Sequence, residues 1–304
     1  MYSFSTCWNS HRHTDGRAML REIRDLGFDY AELSHGIRIS LLPGILDAVD
    51  AGEIKISTLH NFCPLPMGVN QAAPNVYQFS SADVRERENS FRHSIKTFDT
   101  AVRVGAKTVV LHLGSIEIKD YTDKLLELIK DGKKDSPKFE KLSAEAHEKR
   151  EEKKEPFVER SYEMLRRLAE QAETRGLTLG VENREALEEI PIDADFPFLF
   201  HDFPSAAVGY WHDTGHAQIK ENLGMIDHAS HLEAMADRLL GFHIHDVEFP
   251  GRDHRSPGSG MINFAALQTS VKPKHKKVFE FSPSLSVEAA QRGITHIKNL
   301  WGPE

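Results

Sequence analysis

The run Gly241-Phe-His-Ile-His-Asp246 puts two imidazoles and a carboxylate at the end of a short apolar segment, where a core strand would be finishing. The same event recurs along the chain. Ile-Ser-Thr-Leu is followed by His60 and Asn61, Thr-Val-Val-Leu by His112, and Thr-Leu-Gly-Val by Glu182 and Asn183. Val-Gly-Tyr-Trp is followed by His212 and Asp213, with His216 three residues on, and Lys-Val-Phe-Glu-Phe carries Glu280. One such histidine is ordinarily a hydrogen-bonded structural residue. Six successive runs ending this way are different. Converging carboxylates repel, and burying each costs several kcal/mol unless a cation compensates. A glutamate, an aspartate, a histidine and a second glutamate form a mixed oxygen and nitrogen donor set. It suits one divalent ion, Mn²⁺, Mg²⁺, Co²⁺ or Zn²⁺, and lacks the thiolate that would single out zinc.

These residues need elements that aim them at one place. Strands are expected at 2–7, 30–33, 54–59, 108–111, 178–181, 207–211, 240–244 and 277–281, each a short apolar or β-branched run. Helices are expected between them, at 15–26, 83–104, 157–175, 226–237 and 284–298; Gly105 and Gly176 follow two of these as C-terminal caps. Strands alternating with helices make parallel βαβ units, and eight of them predict a (β/α)8 TIM barrel. The open doubly wound alternative lacks its signature, because Ser-Phe-Ser-Thr-Cys-Trp is no glycine-rich phosphate turn. Residues 1–304 are expected to form a single barrel domain, with a charged insertion at about 116–155 after the fourth strand. That Lys- and Glu-rich run reads as a solvated, partly helical segment; its place above the barrel mouth also suits a lid or a subunit contact. Trp8, Phe62 and Trp211 are expected in the core, with an apolar wall of the pocket as the other role.

The totals restrict the classes of function. A hydrophobic fraction of 39% supports a globular core, and no apolar run has the ~20 residues of a membrane helix. The N-terminus shows no basic region followed by an apolar stretch. Two cysteines, Cys7 and Cys63, make no disulfide framework and fit a reducing cytoplasm. A formal net charge of -8 disfavours nucleic acid as a partner.

The combination Val-Glu-Asn at strand five, His-Asp-Thr-Gly-His at strand six, His-Ile-His-Asp at strand seven and Phe-Glu-Phe at strand eight resembles the xylose isomerase-like barrel superfamily. Within it the chain resembles the sugar-phosphate isomerase and epimerase group. That group includes ketose 3-epimerases, hydroxypyruvate isomerase, inosose dehydratase and dehydroshikimate dehydratase, and is related to zinc endonucleases that cut DNA at abasic sites. The resemblance implies that Glu182, Asp213, His243 and Glu280 hold the metal. His243 is selected ahead of His245 because the group's ligand stands three residues before an aspartate. It implies that His216 contacts substrate, and that an arginine of the loop Pro-Gly-Arg-Asp-His-Arg-Ser-Pro-Gly-Ser-Gly, Arg252 or Arg255, does so as well. The trinuclear endonucleases add histidines that correspond to His60, His112, His216 and His254, but their loop aspartate falls on Arg252. A cation in place of a carboxylate argues against three zinc ions. A second metal near His60 and His112 remains compatible with the pattern.

The resemblance and the residues together lead to the expectation of a metal-dependent isomerase or epimerase of a sugar, sugar phosphate or polyol. It would work through an enediolate, with Glu182 and Glu280 as the acid and base. His60, His112, His216 and His245 would line the substrate. The same metal and base would also serve a lyase that dehydrates a polyol or a keto-inositol-like substrate; an abasic-site endonuclease is the third reading. The expected partner is a small carbohydrate-like molecule, with no nucleic acid and no membrane, in a homodimer or homotetramer. Within the strand-seven motif, His245 is expected to face the barrel mouth without binding the metal, and Asp246 to fix the loop carrying Arg252 and Arg255.

Overall fold

The structure is a computed structural model that describes residues 1–303. Ten strands run in chain order: β1 Tyr2–Ser5, β2 Tyr30–Leu33, β3 Lys55–His60, β4 Thr108–Leu111, β5 Thr178–Glu182, β6 Val208–Asp213, β7 Leu239–Ile244, β8 Asp246–Glu248, β9 Arg252–Arg255 and β10 Lys276–Phe279. Eight of them close into a parallel barrel in the order β1-β2-β3-β4-β5-β6-β7-β10. The seam is β1 on β10, with Tyr2 opposite Lys277 and Phe4 opposite Phe279. Strands β8 and β9 form an antiparallel hairpin outside the barrel, directly after β7.

The helices are α1 Gly16–Asp25, α2 Leu42–Asp50, α3 Val84–Arg103, α4 Thr122–Lys130, α5 Pro137–Lys153, α6 Glu155–Glu173, α7 Phe196–Asp202, α8 Thr214–Asn222, α9 His228–Ala234, α10 Phe264–Leu267 and α11 Val287–Trp301. Side-chain caps set their starts. Asp15 accepts from the backbone of Arg17 and Ala18, and Asp83 from Arg85, as helix N-caps do. Gly105 (φ +77°) and Gly176 (φ +63°) turn the chain left-handed just past α3 and α6. Caps also explain where the sequence-based bounds were off. Ser5 caps a short 3-10 turn at Thr6–Trp8, so β1 stops two residues early. Asp227 caps α9 and Ser286 caps α11, which trims the first and shifts the second toward the C-terminus.

The main apolar core fills the space between strands and helices, and a smaller cluster lies inside the barrel. There Trp211 packs with Val110 and Val278. Two glycines make room for its indole. A Cβ on Gly241 would lie 2.6 Å from the ring, and one on Gly180 would lie 3.2 Å from it. Trp8 and Phe62 are also core residues, at 1% exposure each.

The 116–155 segment is helical, but it is not merely solvated. Leu125, Leu128 and Ile129 of α4 and Phe139, Ala146 and Arg150 of α5 are buried. Arg150 donates to the carbonyls of Leu187 (2.7 Å) and Glu189 (3.0 Å) and to Asp195 (2.8 Å). Glu188 accepts from Thr122 Oγ1 at 2.7 Å and from the Tyr121 amide at 2.7 Å. The insertion therefore anchors the loop that leaves β5. Among the described residues, no helix is long and apolar enough to cross a membrane.

Candidate active site and metal centre

In a barrel of this kind the C-terminal strand ends share one mouth, and here they bring the charged groups together. Glu182, Asp213, His243 and Glu280 are buried, and each offers a donor atom within 4.8 Å of the others. His243 Nδ1 is the focus. It lies 2.5 Å from Glu182 Oε1, 3.2 Å from Glu280 Oε2 and 3.9 Å from Asp213 Oδ2. Its other nitrogen, Nε2, lies 3.2 Å from Glu32 Oε2. Glu32 also accepts from Thr58 at 2.8 Å, and its Oε1 is buried without a partner. A carboxylate behind a metal-binding imidazole fixes the tautomer and turns the free nitrogen toward the ion.

Burial opposes charge on every member, yet the cluster stays charged because opposite signs face each other. Burial works against the His243 imidazolium, but Glu280, Glu32 and Glu182 hold it protonated well above the ordinary imidazole range. Burial likewise works against the Glu182 and Glu280 carboxylates. The His243 charge outweighs it, helped by hydrogen bonds from histidines, and both are held well below the usual carboxylate range. The His243 imidazolium thus faces the Glu182, Asp213 and Glu280 carboxylates at once. This donor set, with its orphaned carboxylate oxygen behind it, fits a divalent cation.

Positioning comes from local structure. Glu280 lies just past β10, and its amide donates to the Ile244 carbonyl at 3.2 Å, so the parallel ladder carries it inward. Asp213 caps α8 by accepting from the His216 amide at 2.8 Å. Asn183 brackets Asp213, donating to its carbonyl (3.0 Å) and accepting from its amide (2.6 Å). His216 donates Nδ1–H to the Asn183 carbonyl at 2.9 Å. That leaves Nε2 toward Asp253 Oδ2 at 3.9 Å, in a group completed by Glu185.

Strand alternation separates the two histidines of strand seven from their neighbours as expected, but assigns them partners the sequence did not name. His245 Nε2 lies 2.9 Å from Asp213 Oδ2, and its Nδ1 accepts from the His254 amide at 2.9 Å. The His245 ring is also stacked on His254 at 4.2 Å. It reaches Asp213, not the point where the four donors converge. Gly215 allows this, since a Cβ there would lie 2.1 Å from His245 Cε1. His212 points the other way, into the ring of helices, where Nδ1 meets Tyr210 Oη at 2.9 Å and Nε2 meets His228 Nε2 at 2.9 Å.

Asp246 ties down the far end of the loop that carries Arg252 and Arg255: its carboxylate accepts from the amides of Val247, Gly258, Gly260 and Ile262, in and beside the Pro-Gly-Ser-Gly turn. Arg252 and Arg255 both reach Glu248, at 3.4 and 3.6 Å. The Arg252 side chain is 67% exposed. The hairpin register causes this, because β9 pairs Arg252 with Glu248 and Arg255 with Asp246. The guanidinium in the cluster is Arg184, whose Nη1 lies 2.7 Å from His112 Nε2 and 3.1 Å from Glu182 Oε2. His60 and His112 converge on that same Glu182 oxygen, at 3.5 and 2.7 Å. Burial and the Arg184 charge push His112 well below the ordinary imidazole range, so it is neutral.

The carboxylate absent at position 252 is present one residue later. Asp253 Oδ2 lies 3.0 Å from His254 Nδ1, and His254 Nε2 lies 3.7 Å from Glu280 Oε2. Burial opposes the Asp253 charge, but the His254 hydrogen bond and charge bring its pKa down to about 2. Glu32, Arg184, Glu185 and Asp253 are site residues that sequence reasoning missed. Glu32 did leave a signal, a carboxylate inside the otherwise apolar strand Tyr30–Leu33. Beyond the cluster, a cavity of about 390 Å³ opens between the insertion and the loop after β5, lined by Ser115, Asp120, Thr122, Glu185 and Gly251 among others.

Comparison with known proteins is consistent with this architecture. A family model described as xylose isomerase-like TIM barrel matches residues 20–275. The sequence matches no curated protein. Among solved structures, the chain is similar to an L-ribulose 3-epimerase at 17% identity and TM-score 0.71, over 99% of this chain and 94% of that one. It is similar to a 3-keto-D-glucoside 4-epimerase from E. coli at 15% identity and TM-score 0.69, over 98% of both chains. It is also similar to a D-psicose 3-epimerase from Clostridium cellulolyticum, solved with D-tagatose, at 13% identity and TM-score 0.68 over 99% of both. At these identities the likeness is one of fold.

Proposed function

The chain belongs to the xylose isomerase-like TIM barrel family, and from that premise we propose that it is a divalent-metal-dependent isomerase or epimerase of a small carbohydrate. One observation carries the reading: two buried glutamates, Glu182 and Glu280, face the same imidazole nitrogen from different strands, with Asp213 beside them. Glu182, Asp213, His243 and Glu280 would hold the ion, which when bound supplies Lewis acidity to a carbonyl and so acidifies the neighbouring C–H.

The protein's own groups do the rest. One of Glu182 and Glu280, ionised beside its cationic neighbours, takes the proton from the substrate carbon, and the other, after taking up a proton from a substrate hydroxyl or solvent, returns one to the opposite face. Glu32 keeps His243 Nε2 occupied, so Nδ1 alone faces the reacting region. Asn183 and the α8 cap hold Asp213 still. His216, Glu185 and Asp253 supply polar atoms for substrate hydroxyls, and the cavity beside Glu185 accommodates the rest of the molecule. Hydrogen-bonding polar groups along one wall of a cleft suit a polyhydroxylated ligand.

The experiment is deuterium exchange. Protein loaded with Mn²⁺ or Co²⁺ is incubated in D₂O with L-ribulose, D-tagatose, D-psicose and 3-keto-D-glucosides, and followed by NMR. Deuterium should enter at a carbon next to the carbonyl of at least one ketose. The substitutions Glu182→Gln and Glu280→Gln should each abolish it. Loaded protein that exchanges none of these substrates would remove the proposal.

A further inference from the structure

His60, His112 and Glu182 also form a three-donor group, with one ligand atom from each within 4.8 Å of the others. Their hydrogen bonds show what that group presents. His60 Nδ1 donates to the Asn61 carbonyl at 2.8 Å, and His112 Nδ1 donates to Asn75 Oδ1 at 2.9 Å. Each ring therefore turns its Nε2 inward. The two Nε2 atoms are 3.2 Å apart, and both face Glu182 Oε2. Two imidazole nitrogens and a carboxylate oxygen converging in a buried space call for a cation among them.

A cation is there, and it belongs to the chain. Arg184 stands two residues beyond Glu182 and is 5% exposed. Its Nη1 donates to His112 Nε2 at 2.7 Å and to Glu182 Oε2 at 3.1 Å. Its Nε donates to Glu189 Oε1 at 3.0 Å. Glu189 is itself fixed: its second oxygen accepts from the Ala186 amide at 3.1 Å, and its carbonyl accepts from the buried Arg150 at 3.0 Å. A guanidinium cannot be deprotonated in this setting and presents its donors in a rigid plane, so once held at Nε its Nη1 has little freedom.

We propose that Arg184 is the resident cation of the His60–His112 side of the site, so that the protein holds one metal ion where its ligands offer places for two. This rests on the reading of Glu182, Asp213, His243 and Glu280 as the metal site. It has a chemical consequence. A single ion leaves Glu182 Oε2 held by Arg184 and His112, and Oε1 facing His243. Arg184 would thereby keep a second cation off the Glu182 carboxylate.

The test is metal stoichiometry. Protein stripped by chelator, resaturated with Co²⁺ and freed of excess is analysed by elemental mass spectrometry, with the visible absorption of bound Co²⁺ recorded in parallel. The native protein should carry one ion per chain. Arg184→Met should carry two, with a second set of Co²⁺ bands, and adding His112→Ala should return it to one. Two ions in the native protein, or one in Arg184→Met, overturns the proposal. Should Arg184→Met not fold, His112→Ala in the native background decides: saturation at one ion agrees with the proposal, and a drop in stoichiometry contradicts it. Asp213→Asn separates the two readings. It should empty the native protein, and a native-like metal content in that variant points to failure of the four-ligand reading, whatever Arg184 does.

Discussion

Glu182 divides its two oxygens between two neighbourhoods, the His243 side and the His60–His112 side, and everything else at the site depends on which oxygen a neighbour meets. The two histidines of strand seven show the same economy of position. His243 Nδ1 faces three carboxylates, whereas His245 sets Nε2 against Asp213 and takes the His254 amide on Nδ1. His243→Ala should therefore lose the metal and nearly all turnover. His245→Ala should retain the ion at saturation and lose about 10–100-fold in affinity or rate, the usual cost of removing a group that orients a ligand. Equilibrium dialysis with Co²⁺ checks this, and equal loss of metal in the two variants would reverse the assignment. The sequence made these strand-end residues legible because strand ends share a face of a barrel. Arg184 and Glu185 were not legible because they sit on a loop whose course no periodicity describes, and Asp253 because it sits on a hairpin strand outside the barrel. The contact of Arg252 and Arg255 with Glu248 was hidden for a related reason, since the hairpin register that sets it is invisible in one sequence.

A strand presents two chemistries, and β6 shows how sharply they differ. Asp213 points to the mouth as a charged group, while His212, one residue earlier, enters an apolar packing layer and must stay neutral. Its partner His228 is fully buried, and burial followed by the neighbouring His231 lowers its pKa from 6.5 to about 3. The folded state thus binds fewer protons than the unfolded chain between those values. Stability from this element is present above about pH 6.5 and is lost as pH falls toward 3. Melting temperature should drop steeply over that window, and His228→Gln should make the drop shallower. Parallel slopes for native and variant proteins would show that the network does not titrate as described. The strands themselves were the most legible elements: β2 and β4 match their expected bounds, and the other six differ by a residue or two at an end. The helices moved further, because a capping Ser or Asp competes with its neighbours and single-chain patterns do not say which wins. The charged 116–155 stretch was the hardest to judge. Its composition is that of a solvated face, yet Arg150 is buried against the loop beyond β5.

At the scale of the molecule, the buried charges make the mouth of the barrel its least self-sufficient region. Three carboxylates face one protonated imidazole, whose proton a bound ion would replace. Metal should therefore raise stability by mass action, about 2.7 kcal/mol at a free ion concentration a hundred times Kd. That corresponds to roughly 4 °C in a chain of this size. Differential scanning fluorimetry with and without chelator measures it, and Asp213→Asn should show no metal-dependent shift. A native protein whose melting point ignores chelation would mean that the four donors hold no ion.

The seam between β1 and β10 gives the molecule a particular order of assembly. As the chain lengthens on a ribosome, β1 is the first strand out, and its outer edge waits for a partner some 270 residues away. Glu280 arrives only with that partner. Until then the pocket lacks its last carboxylate, and a passing cation meets an incomplete grip. On the proposed four-donor reading, ion capture would be a late event that reports ring closure and could not template the earlier strands. A permuted chain that began at α9, just ahead of β7, would emit β7, β10 and β1 in succession through a short linker. It would present His243 and Glu280 together from the outset and leave Glu182 and Asp213, on β5 and β6, as the last of the four donors to arrive, so capture would still wait for the ring to close.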